Sequence, residues 1–178
     1  MLVDAYLSAR EPERYEFVNS GISGNRIVDL YARIKCDVWQ HQPDVLSILV
    51  GINDVYHDIW SNNGVDAKRF ETVYRMLVKD TVERFPNIKM ILMEPFLLPY
   101  TAITEEYEKN LPEVRLRGQI VKKIAEENGF AFLPLQQIFD DACKRAPADC
   151  WSPDGIHPFP SGHQLIADAW LKAFENLK

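Results

Sequence analysis

The sequence predicts an α/β protein, a three-layer α/β/α sandwich built on a parallel sheet. Short apolar runs alternate with longer amphipathic stretches along the whole chain. The run over residues 44–52, DVLSILVGI, is almost continuously apolar, as a strand covered on both faces must be. The stretches between such runs are long enough to be helices, which implies βαβ units with right-handed crossovers.

The elements follow in order. Leu2, Ala5, Tyr6 and Ala9 recur at helical spacing, so residues 2–9 read as a helix. Residues 15–18 (YEFV) alternate and end in Asn-Ser-Gly, a strand entering a turn. Ile27, Leu30, Tyr31, Ile34 and Val38 mark the next helix, and residues 44–52 the next strand. Phe70, Val73, Tyr74, Leu77, Val78 and Val82 form a second helical stripe, followed by a buried strand over residues 88–93. Leu116, Ile120, Val121, Ile124 and Ala125 mark a third, stopped by Asn128-Gly129. A short strand over 130–135, a short helix over 138–143 and a last helix carrying Leu165 to Leu177 complete the series. A βαβ sheet normally opens on a strand, whereas this chain opens inside a helix. The expectation is a single domain over residues 1–178, truncated at its N-terminus and lacking its first strand.

Composition narrows the function. The net charge of −6 disfavours nucleic acid as a partner, because phosphate neutralisation needs a basic face. No apolar run reaches the ~20 residues of a membrane span, and no basic stretch leads into an apolar one. A cytoplasmic protein is expected. The three cysteines, Cys36, Cys143 and Cys150, match neither a disulfide framework nor a zinc site. A bridge between Cys143 and Cys150 stays open.

Three segments lie where this architecture gathers reactive groups, at the carboxyl ends of strands and in the C-terminal loop. In NSGISGN, Gly24 stands just ahead of a helix, so its N–H can face an anion. A glycine turn capped by Ser23 or Asn25 would look the same. In GIND, Asn53 follows the most buried strand and supplies a neutral donor suited to a developing oxyanion. In DGIHP, Asp154 precedes His157 by three residues. Its carboxylate can hold Nδ1 of that imidazole and leave Nε2 as a general base. A metal site using Asp154, His157 and His163 lacks a third ligand at a recognisable spacing, so no metal and no cofactor is expected.

Together and in this order, the motifs resemble the SGNH hydrolases, or GDSL-type esterases and lipases. Gly24 matches the family's second block, Asn53 its third, and Asp154 with His157 its last. The runs VNSGISGNRIVDL, SILVGINDV and DGIHPFPSGHQLIADAWL look most like the bacterial acetylxylan-esterase branch. The resemblance implies a flavodoxin-like parallel sheet (the SGNH hydrolase fold) and a serine ester hydrolase acting on carbohydrate such as xylan or xylo-oligosaccharides. It also implies catalytic His157 and Asp154 and an oxyanion hole of Gly24 and Asn53. The first block, a Gly-Asp-Ser carrying the nucleophile, occurs nowhere in the sequence. Ser20, Ser23 and Ser152 do not occupy its place. The chain alone is therefore expected to be inactive. A non-catalytic sugar- or partner-binding protein of the same fold is the alternative. Tyr56, Trp60 and Phe96 follow the reactive segments and are candidates for lining a sugar cleft, although loop packing accounts for them equally. Residues 97–112 read as a long acidic loop, a lid, a solvated excursion or the contact of a homo-oligomer.

Overall fold

The computed structural model describes residues 2–99 and 104–177. The elements are α1 (Leu2–Arg10), α2 (Ile27–Asp37), β1 (Val45–Leu49), α3 (Ile52–Ser61), α4 (Ala67–Arg84), β2 (Lys89–Met93), α5 (Thr104–Asn128), β3 (Ala131–Leu133), α6 (Leu135–Cys143) and α7 (Pro160–Glu175). The strands are parallel and lie in the order β1-β2-β3, with Val45 opposite Lys89 and Ile91 opposite Ala131.

Side-chain alternation along β2 builds the layers. Met90 and Leu92 point to one face, where Ile27, Ile34, Phe70, Tyr74, Leu77, Val121 and Ile124 bring in α2, α4 and α5. Ile91 and Met93 point to the other, against Leu7 of α1, Phe139 of α6 and Phe174 of α7. The three-layer sandwich follows from this two-sided burial, since a bare sheet face would expose apolar area worth about 1.5–3 kcal/mol per large side chain.

The structure corrects four expectations. Residues 15–18 form no strand. Phe17 and Val18 are exposed, and Tyr15 packs edge-on against Phe174, 5.6 Å between centroids. A strand exists only through pairing, and among the described residues no backbone ladder joins this segment to β1. Second, β1 is well covered on one face but only at its start on the other, where Val45 packs against the α1–α6–α7 core. Leu46 and Ile48 pack against the α2–α4–α5 core, but Ser47 is exposed and Leu49 is 43% exposed on the side of α7. β1 is thus a sheet edge among the described residues, and an edge lacks the neighbour that would cover it.

Third, the run through Ile52 is not all strand. Ile52 opens α3, because the chain turns at Gly51, where an added Cβ would lie 2.9 Å from the Pro95 ring. Fourth, most of the expected loop over 97–112 is helix. α5 begins at Thr104 and carries Pro112 in its interior, which sequence rules treat as a helix breaker. Residues 100–103 of that expected loop lie outside the described residues. The three cysteines are free, so the Cys143–Cys150 bridge is absent.

Candidate active site

The loop between α6 and α7 places Asp154 against His157. Asp154 Oδ2 lies 2.6 Å from His157 Nδ1, while Oδ1 accepts the backbone N–H of Ile156 at 3.0 Å and of His157 at 2.8 Å. The buried Ser152 hydroxyl lies 3.2 Å from Asp154 Oδ1 and 3.0 Å from the His157 carbonyl, bracing the loop from within. Gly155 makes the tight reversal feasible. Its φ is +81°, and an added Cβ would lie 2.6 Å from the Leu98 carbonyl oxygen. Leu98 N–H in turn donates to the Gly155 carbonyl at 3.0 Å. Partial burial pushes the Asp154 carboxyl up. The hydrogen bonds from the His157 amide and ring and the Ile156 amide outweigh it and hold the group at about 2. A carboxylate held ionised on Nδ1 fixes the ring with its proton there, leaving Nε2 unprotonated and able to act as a base. The imidazole is exposed, so that nitrogen is accessible.

The second half of the site joins α2 and α3. Gly24, with φ +82°, sits in the turn ahead of α2. Asn53 stands in the first turn of α3 and donates from Nδ2 to the Asn25 carbonyl at 3.1 Å. A side-chain amide has two N–H bonds, so one remains for another acceptor. Asp54, the next residue, accepts the Ile27 N–H at 3.1 and 3.3 Å, satisfying the first amide of α2 from a different helix. A Cβ built on Gly24 would sit 3.9 Å from the His57 ring.

A third apolar cluster links the two halves. Val55, Tyr56, Leu97 and Val114 form its core, with Ile52 and Ile156 packed against it. Asn53 and His157 are therefore each the sequence neighbour of a side chain in one shared cluster. Of the aromatic candidates, Tyr56 belongs to this buried cluster, and Phe96 stacks on Phe139 at 4.3 Å within the core beneath β2 and β3. Phe96 is thus packing and does not face an open cleft. Trp60 is 62% exposed and leans on Tyr56, 4.9 Å between centroids.

The model of the GDSL-like lipase/acylhydrolase family matches residues 2–165. The chain belongs to this family. It is a GDSL-like carboxylic ester hydrolase, with the α/β fold of its relatives. An acetylxylan esterase from Geobacillus stearothermophilus is 34% identical over 166 residues, which are 87% of this chain and 70% of that protein. A crystal structure described as a GDSL-like lipase, from Parabacteroides merdae, superposes with a TM-score of 0.91 at 38% identity, covering 99% of this chain and 81% of that one. The crystal structure of a Geobacillus stearothermophilus acetylxylan esterase superposes with a TM-score of 0.85 at 33% identity, covering 97% and 78%. No helix among the described residues of the GDSL-like hydrolase is long and apolar enough to cross a membrane.

Two residues beside Asn53 gain a role only in the fold of this GDSL-like hydrolase. Asp54 has the chemistry of an orienting or capping group, and the fold brings it to the first amide of α2. His57 lies against Gly24. The spacing Asn53–His57, one helical turn, was a signal that both share a helix face.

Proposed function

We propose that this GDSL-like hydrolase removes acetyl groups from carbohydrate such as xylan or xylo-oligosaccharides by attack of a serine hydroxyl on the ester carbonyl. In this reading His157 Nε2 takes the serine proton and returns it to the leaving alcohol. Asp154 orients the ring and stabilises the imidazolium. The Gly24 N–H and the Asn53 amide hold the oxyanion, each such donor being worth about 2.7–4 kcal/mol of barrier. Trp60, exposed about two turns past Asn53 on the same helix, suits a sugar face. The 2.6 Å contact between Asp154 and His157 is the observation that carries this reading. The acetylxylan esterase relative supports the substrate class.

Residues 1–178 contain no Gly-Asp-Ser run, which supports a nucleophile lying outside them. The Ser20 hydroxyl donates to the Asp37 carbonyl, and Ser152 braces the Asp154 loop. We read residues 1–178 as one hydrolase domain that is inactive alone, and the nucleophile as belonging to a further strand. The exposed edge of β1 supports that reading, since it offers a parallel ladder on its outer side.

The test is acetate release from acetylated xylo-oligosaccharides and from p-nitrophenyl acetate, with and without a Gly-Asp-Ser-bearing strand fused ahead of Met1. Only the fused form should turn over, and His157→Ala should abolish it. Loss of such a serine costs on the order of a million-fold. Turnover by the unfused chain would refute the inactive reading, and no turnover by either form would refute the esterase reading.

A further inference from the structure

The two groups proposed to hold the oxyanion belong to different elements, and a single buried carboxylate ties those elements together. Gly24 precedes α2, whereas Asn53 is on α3. Oxyanion donors act only at the right spacing, and a displacement of about 1 Å can cost roughly a hundredfold in rate. Two contacts set that spacing. One is the Asn53 side chain on the Asn25 carbonyl at 3.1 Å. The other is Asp54, whose two oxygens lie 3.1 and 3.3 Å from the Ile27 nitrogen. Ile27 is fully buried, and while Asp29 of the helix itself accepts the Arg26 N–H at 2.9 Å, the Ile27 N–H is met by Asp54 from another helix. The carboxylate therefore serves as a long-range cap and faces the positive end of the α2 dipole.

We propose that Asp54 is a positioning residue, holding the Gly24 turn in register with the Asn53 amide, and that this register relaxes when its carboxylate takes up a proton. The assignment to catalysis rests on the esterase reading above. The clasp itself does not.

The surroundings of Asp54 make its charge state changeable. The residue is 1% exposed. Burial pushes its carboxyl up to about 6, against the Ile27 hydrogen bond and the charges of Arg117 on α5 and Arg26 at the head of α2. Arg117 is itself buried and is held by the Val65 carbonyl at 2.8 Å and by Glu113, while Asp54 O accepts Val65 N–H at 2.8 Å. Arg26 is paired with Asp29 at 2.9 Å. His57, on the same helix as Asp54, lies against Gly24 and acts on Asp29. An ionised Asp54 accepts the amide through either oxygen. A protonated one has an O–H to place and is a weaker acceptor.

Amide NMR on the 178-residue chain tests the clasp without needing turnover. The Ile27 and Gly24 amides and the Asn53 side-chain amide should titrate together, with one midpoint near 6. That transition should vanish in Asp54→Asn and persist in His57→Gln, which separates it from the neighbouring imidazole. Movement of Ile27 alone, or survival of the Gly24 transition in Asp54→Asn, would overturn the proposal. If Asp54→Asn does not fold, the wild-type and His57→Gln titrations still decide. A transition of Gly24 that disappears with His57 would also refute it. In the strand-fused enzyme, Asp54→Asn should lower kcat by about tenfold, less than the loss of a whole donor, with KM nearly unchanged. An inactive fused wild type would refute the esterase reading and leave the NMR result to judge the clasp.

Discussion

Trp170 of α7 donates its indole N–H to the Ser47 hydroxyl at 2.7 Å, on the exposed face of the outermost strand. This bond joins β1 to the helix layer where apolar contact is thin, because Leu49 beside it remains largely open. Ser47→Ala should lower unfolding stability by about 1 kcal/mol, read as a shift of the urea midpoint at unchanged slope. Fusion of a parallel strand alongside β1 should raise stability and bury Leu49. An unchanged midpoint in the fused chain would argue that no strand pairs there.

Gly155→Ala should be far more damaging than its chemistry suggests. The new methyl would meet the Leu98 carbonyl oxygen at 2.6 Å, at a φ of +81° that disfavours any Cβ. A loss of about 1–3 kcal/mol is expected in denaturant titration, together with broadening of the His157 ring signals as the loop loses its shape.

Asp154→Asn isolates the role of the carboxylate. In the wild type above pH 8, the His157 ring should be the Nδ1–H tautomer, because Asp154 Oδ2 accepts from it at 2.6 Å. Ring nitrogen shifts should show that preference weakened in the variant. In the strand-fused enzyme the same change should cost about four orders of magnitude in kcat, since the wrong nitrogen would then carry the proton.

The two key aspartates should respond to acid in opposite directions. The Asp154 carboxyl is depressed to about 2 in the fold, so the stability it contributes is present above about pH 4 and lost as pH falls towards 2. The Asp54 carboxyl is raised to about 6, so the folded chain binds the proton first and gains stability as pH falls from about 6 to 4. Urea unfolding of wild type and Asp54→Asn should diverge by about 1 kcal/mol between pH 7 and 5, and by about 3 kcal/mol on approaching pH 3, the wild type gaining relative to the variant. Parallel curves would show that burial at Asp54 is relieved in some other way.

Much of this was legible in the sequence. The stripes at Phe70–Tyr74–Leu77 and Ile120–Ile124 gave α4 and α5, because burial against one sheet face imposes helical periodicity. The spacing of Asp154 and His157 was short enough for one loop to fix their contact. What could not be read was context. YEFV alternates like a strand, but alternation does not supply a pairing partner. GIND follows a strand, yet the change of direction at Gly51 depends on Pro95, far along the chain. The expected loop ran to Pro112, whereas α5 begins at Thr104 and the packing of Val114, Val121 and Ile124 carries the helix through that proline. Phe96 looked available to ligand because it follows a strand end, and only the position of Phe139 reveals that it is core.

The tilted pair of Tyr56 and Trp60 supplies an optical probe beside Asn53. The other indoles, Trp39, Trp151 and Trp170, are each at least partly covered, so a collisional quencher such as iodide will reach Trp60 first. A saccharide resting on that ring would shield it, blue-shift its emission and lower the quenching constant. Carbohydrate binding could then be followed in a fluorimeter with no label, and without any bond being broken.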